Sequence, residues 1–147
     1  MPNRAVIKVI QNRDFLTSTP EKSVFSVAVH MQTYHADAVL VVDENDGKLL
    51  GICTERDIAF KLVAEGLDAK TTPVGQIMTA KLETISPEKP FAHALHLMFE
   101  GGFRHLPVVD PFSGKPIGVV SSRDALSPEI RHFIDEVDQR EALTEIL

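Results

Sequence analysis

Apolar residues recur along the chain at two spacings. Val24, Val27, Ala28 and Met31 fall at i, i+3, i+4 and i+7, as do Phe91, Ala94, Leu95 and Met98. Each set makes one stripe down a helix whose other faces are polar. These helices are expected to start at Pro20-Glu21 and Pro87-Glu88, since proline early in a helix and acid in its first turn are both favoured. The spacing then changes to short, β-branched-rich runs: Ala38 to Val42 and Leu49 to Cys53 in one region, Leu106 to Val109 and Pro116 to Val120 in the other. Turns at Asp46-Gly47-Lys48 and Ser113-Gly114-Lys115 make each pair of runs a hairpin. A strand is predicted near Thr17 and near Thr84, and a second helix from Thr54 and from Ser121. The first of these carries Ile58, Leu62 and Val63 and stops at Gly66.

The two regions are copies. Shifted by 67 residues, Thr17-Ser18-Thr19-Pro20-Glu21-Lys22 falls on Thr84-Ile85-Ser86-Pro87-Glu88-Lys89, Val41-Val42-Asp43 on Val108-Val109-Asp110, and Arg56-Asp57 on Arg123-Asp124, without a gap. Over residues 17–59, 13 of 43 positions are identical, so the order β-α-β-β-α is read once per copy. The fold class is α+β, with residues 5–70 and 71–127 as two units packed about a pseudo-two-fold axis. Residues 128–147 form a tail. Pro128 breaks the preceding helix, and Ile130, Phe133, Ile134 and Val137 predict a separate amphipathic one. Its acidic face, Asp135, Glu136, Asp138, Glu141 and Glu145, reads as a solvated surface.

Charge and composition narrow the function. With 21 acidic and 15 basic residues the net charge is −6, which disfavours the cationic surface a nucleic-acid backbone requires. The longest apolar runs are five residues, too short to span a bilayer, and no membrane partner is expected. Arg4, Lys8, Arg13 and Asp14 leave no room for a secretory core, and the single Cys53 suits a reducing compartment, so a cytoplasmic location is expected. Cys53, inside an apolar run, reads as a buried inert thiol. His93 and His96 lie three apart off the apolar stripe with no third ligand, and read as solvated rather than metal-binding. No nucleophile elbow, Walker loop or dinucleotide fingerprint occurs, so no enzymatic activity is expected.

The chemistry concentrates in Gly51-Ile52-Cys53-Thr54-Glu55-Arg56-Asp57 and its echo Gly118-Val119-Val120-Ser121-Ser122-Arg123-Asp124. Each ends a strand and opens a helix. Thr54 and Ser121 are helix N-caps, with the aspartate three residues on returning a bond. A helix start also offers free N–H donors to a phosphate, and an aspartate beside it can accept from a ribose diol.

These strings, with Arg104-His105-Leu106-Pro107-Val108-Val109-Asp110 and Gly75-Gln76-Ile77-Met78-Thr79, resemble a tandem pair of CBS domains, the cystathionine beta-synthase regulatory motif, together called a Bateman module. The resemblance covers about residues 5–127. It implies a non-catalytic module that senses AMP, ADP, ATP, S-adenosylmethionine or NAD(H) in clefts between the repeats, requires no cofactor, pairs into a homodimer and regulates a protein partner. By the same resemblance Asp57 and Asp124 hold ribose; Thr54, Ser121, Arg56 and Arg123 lie near phosphate; Thr17 and Thr84 lie beside the base. Backbone around Val39 and Leu106 approaches adenine, and Arg104 and His105 match phosphate-contacting positions. The first copy has Asp37-Ala38 where the second has Arg104-His105, so the Asp124 cleft is expected to be the primary nucleotide site. A ligand-free dimerisation scaffold and a nucleic-acid binder are the alternatives.

Overall fold

The first repeat of the computed structural model, which describes residues 3–126 and 136–141, contains α1 (Val6–Ile10), β1 (Thr17–Ser18), α2 (Val24–Tyr34), β2 (Ala38–Val42), β3 (Leu49–Thr54) and α3 (Glu55–Asp57). The second contains α4 (Val74–Ile77), α5 (Phe91–Gly101), β4 (His105–Val109) and β5 (Pro116–Ser121). β1 lies parallel to β2, and β2 pairs antiparallel with β3. β4 and β5 form the matching hairpin, with the same irregularity before its last pair. Both predicted hairpins and the α+β class are therefore present. Gly47 and Gly114 close the two turns at φ +72° and +74°, a left-handed conformation that costs a glycine nothing.

Three expectations need correction. α2 and α5 begin at Val24 and Phe91, not at Pro20-Glu21 and Pro87-Glu88. Those dipeptides sit in turns, closed by Lys22 N to Thr19 O at 3.3 Å and Lys89 N to Ser86 O at 3.3 Å. Ser23 supplies the side-chain cap for α2 through Ser26 N at 3.1 Å, while Pro90 holds Lys89 away from helical geometry. The strand expected near Thr84 shrinks to a single parallel bridge between Ile85 and Val108. The helix expected from Ser121 is one 3₁₀ turn, Ser122–Ala125, after which Leu126 is already extended.

α3 itself continues as a π-helix over Ile58–Val63, with Ala64 N bonding Ala59 O at 3.0 Å. The wider turn rotates the stripe, so Leu62 is buried but Val63 is 68% exposed. Gly66, at φ +70°, terminates this helix as expected. In the tail, residues 136–141 are helical with Val137 half-buried. The expected contributions of Ile130, Phe133 and Ile134 lie outside the described residues.

Among the described residues, two cores hold the fold. One gathers Val24, Val27, Met31, Val39, Val41, Cys53 and Leu62 with Val74 and Ile77; the other gathers Ile85, Phe91, Ala94, Met98, Leu106, Val108 and Val120 with Val6 and Ile10. Each leading helix has thus crossed over. α1 packs on the second repeat, with Val6 N bonding Lys89 O at 2.8 Å and Phe91 N bonding Arg4 O at 2.7 Å, while α4 packs on the first, with Val74 N bonding Lys22 O at 2.7 Å. The exchange explains the glycine that opens each repeated string. A Cβ on Gly51 would come within 2.7 Å of Met78 Sδ and 2.8 Å of Thr79 O, and one on Gly118 within 2.6 Å of Ile10 Cδ1. Only a hydrogen lets the crossed segment approach.

Candidate ligand clefts

At each strand-to-helix corner the backbone passes from extended to helical, and the corner is tied by a reciprocal cap. Asp57 N donates to Thr54 Oγ1 at 3.3 Å and Thr54 N donates to Asp57 Oδ2 at 2.9 Å. In the second repeat Ser121 N donates to Asp124 Oδ2 at 2.8 Å and Arg123 N donates to Ser121 Oγ at 3.2 Å. The expected capping role of these residues holds. Asp57 and Asp124 are drawn inward by it, to 7% and 3% exposure, where a carboxylate needs strong partners.

Those partners differ between the corners. Asp57 Oδ1 accepts from Lys61 Nζ at 2.8 Å and from Thr79 Oγ1 at 3.0 Å. Lys61 stands one turn along the same helix; Thr79 arrives with the crossed segment after α4. Asp124 is clasped by both guanidinium nitrogens of Arg13, Nη1 to Oδ1 at 2.6 Å and Nη2 to Oδ2 at 3.1 Å, with Nη2 also donating to Val119 O at 3.3 Å. Arg13 follows α1. Neither Arg13 nor Lys61 is found by reading the repeat: Arg13 reaches Asp124 only through the exchange of leading helices, and Lys61 has no counterpart in the second copy, where Pro128 stands.

The remaining site residues are distributed as follows. Arg56 lies over the Phe60 ring at 5.1 Å, and Arg123 comes within 4.0 Å of Asp138. Arg104 is exposed, and its carbonyl accepts from Ser122 N at 3.1 Å. Val39 and Leu106 are buried in the two cores and pair in the ladders with Cys53 and Val120. Thr17 and Thr84 are exposed ahead of the helices. His105 does not stand apart from Asp37: its Nε2 is 3.1 Å from Asp37 Oδ2, across the junction of the repeats. The hydrogen bond from His105, followed by attraction to His105 and Arg123, holds the Asp37 carboxyl below its ordinary range although burial pushes the other way. The acid assigned to one cleft and the histidine assigned to the other are therefore a single pair, and Arg104 is the remaining charge difference between residues 37–38 and 104–105.

A cleft of about 790 Å³ opens where the C-terminal end of α2 meets α3, lined among others by Met31, Ala36, Asp37, Glu55, Ile58 and Arg123. It is open and half apolar, and neither Asp57 nor Asp124 lines it. His93 and His96 are exposed on α5. Cys53 is fully buried, and burial pushes its thiol up to about 12, with the Asp57 charge adding to the effect. No helix among the described residues is long and apolar enough to cross a membrane.

Known proteins share this architecture. The CBS domain family matches the chain twice, over residues 7–64 and 74–128. An uncharacterized protein of Methanopyrus kandleri, MK0525, is 32% identical over 120 residues, 82% of this chain and 60% of that protein, so the chain spans less than two thirds of that relative. A putative signal-transduction protein with CBS domains from Burkholderia ambifaria superposes with a TM-score of 0.74 at 34% identity, covering 82% of this chain and 90% of the other. The CBS domain pair of protein MJ0100, solved in complex with 5′-methylthioadenosine and S-adenosyl-L-methionine, superposes at 0.72 with 26% identity, covering 82% and 95%. With two family matches in register with its internal duplication, the chain belongs to the CBS-domain family as a tandem pair.

Proposed function

We propose that this pair is a non-catalytic regulatory module that binds adenosine-containing small molecules beside Asp57 and Asp124. The observation that carries the reading is the doubled corner: in each repeat a hydroxyl residue and an aspartate frame a strand-to-helix turn, with the aspartate nearly buried and aimed at its own backbone. A buried carboxylate that accepts several donors at once can exchange some of them for a ribose diol, and the helix start beside it favours an anion. The likeness to the MJ0100 pair, with its two adenosine compounds, supports the same ligand class. In this reading Asp57 and Asp124 hold ribose, Thr54 and Ser121 lie toward phosphate, and Thr17 and Thr84 flank the base.

The module works as a homodimer in this account, because Phe25, Val29, Phe60 and Val63 expose apolar surface on the first repeat. Thermal melting against AMP, ATP, S-adenosylmethionine, 5′-methylthioadenosine, NAD and a short RNA tests the reading. A ligand at 100 times its Kd adds about 2.7 kcal/mol, so at least one adenosine compound raises the melting temperature by several degrees and RNA does not. A panel with no shift contradicts the sensor and favours a scaffold that acts by dimerising alone.

A further inference from the structure

The two buried aspartates are alike in sequence context, yet the cations on them are of different kinds. Lys61 meets Asp57 with one ammonium at 2.8 Å, and its side chain is 45% exposed. A lysine on a flexible stem can turn its charge into water without moving its helix. Arg13 meets Asp124 with a two-point fork, across 111 residues of chain, against a carboxylate only 1% exposed. Its third bond, to Val119 O, fixes the guanidinium against β5. Planar two-point recognition of a carboxylate is a geometry that arginine provides and lysine does not.

A ribose diol arriving at Asp124 must take over oxygens that Arg13 now holds. Two neutral hydroxyl donors then replace a charge-assisted fork, and the guanidinium is left needing an anion. Resting on the adenosine reading above, we infer that Arg13 makes the Asp124 cleft selective for adenosine ligands with an anionic 5′ group over neutral ones. A 5′-phosphate lies within an arginine side-chain length of its own ribose diol. Such a ligand returns to Arg13 the bidentate acceptor that its ribose displaced. A neutral nucleoside or thioether returns nothing, and Arg13, whose side chain is 34% exposed, then trades its charge-assisted fork for water alone. The Asp57 cleft lacks this requirement, since Lys61 makes a one-point contact and needs no planar two-point acceptor in return.

The test compares AMP with 5′-methylthioadenosine, which differ at the 5′ position, in the full-length protein. Titrations followed through the backbone amides of Ser121 to Asp124 report the second cleft alone. AMP is expected to bind there at least tenfold more tightly than the thioether. Arg13→Gln is expected to shrink that ratio toward unity, chiefly by strengthening the thioether, while the ratio read at Thr54 to Asp57 stays unchanged. Arg13→Lys, which keeps the charge and loses the fork, should fall between; it also serves as the test if the glutamine variant does not fold. Both ligands binding with a ratio that Arg13 substitutions leave unaltered would overturn the inference and leave the adenosine reading standing. Neither ligand binding in any variant would overturn both.

Discussion

The Asp57 and Asp124 corners are products of one duplicated string, but their surroundings are not duplicated. At the offset of 67 residues that relates the copies, Arg13 stands opposite Ala80 and Lys61 opposite Pro128. The carboxylates, caps and opening glycines are inherited by both repeats; the cations are supplied locally at one corner and across the molecule at the other. The repeat therefore conserves a scaffold for a ligand while leaving its charge balance free to diverge. The hairpin turns diverge in the same way. Leu49 N bonds Gly114 O at 3.1 Å across the pseudo-axis, and the reciprocal bond cannot exist because Pro116 has no N–H.

The largest effect is expected from a substitution in a crossed helix. Val6 is fully buried among residues of the second repeat. Val6→Asp places an unpaired charge there and is expected to cost more than about 4 kcal/mol. Hydrogen exchange should accelerate in β4 and β5 more than in β2 and β3; equal loss, or loss confined to the first repeat, would contradict the exchange of leading helices.

Next in size is removal of the aspartates. Asp124→Ala breaks a nearly buried two-point ion pair and a cap, and is expected to cost about 2–3 kcal/mol in urea unfolding, less than the full buried-pair value because Arg13 is 34% exposed. Asp57→Ala should cost about 1–2 kcal/mol, since Lys61 remains solvated. A reversed order would mean that Arg13 contributes less than its geometry implies.

A smaller effect is expected at the junction. Asp37 titrates below its ordinary range in the folded protein, so its pairing with His105 contributes stability above the unfolded value near 3.8 and loses it as pH falls through the native value. The side chain is 53% exposed, and the contribution is on the order of 0.5 kcal/mol. Asp37→Asn should remove that part of the acid slope below about pH 4. Smallest of all is the response of Cys53: with its thiol pushed up to about 12, it should resist alkylation at pH 8 in the native protein and react once unfolded.

Much of this was legible from residues alone. Amphipathic spacing placed the cores of α2 and α5, β-branched runs placed both hairpins, and the hydroxyl-to-aspartate spacing placed both caps. All of these are local signals. What escaped was non-local or depended on a competing local force. Val6–Ile10 is five residues, too short for a stripe, and its partner core lies in the other repeat. Arg13 became part of the Asp124 corner only through that crossing. The π-turn that exposes Val63 leaves no mark in a spacing analysis, and the start of α2 shifted because Ser23 offered a better cap than Pro20-Glu21.

Residue-resolved titration shows most directly whether the doubled corners are adenosine sites. Amide spectra recorded against AMP and S-adenosylmethionine should show saturable shifts concentrated at Thr17, Thr84, Thr54 to Asp57 and Ser121 to Asp124, at least one ligand saturating. Spectra that do not change, or changes confined to the exposed face of α5 around His93 and His96, would contradict it.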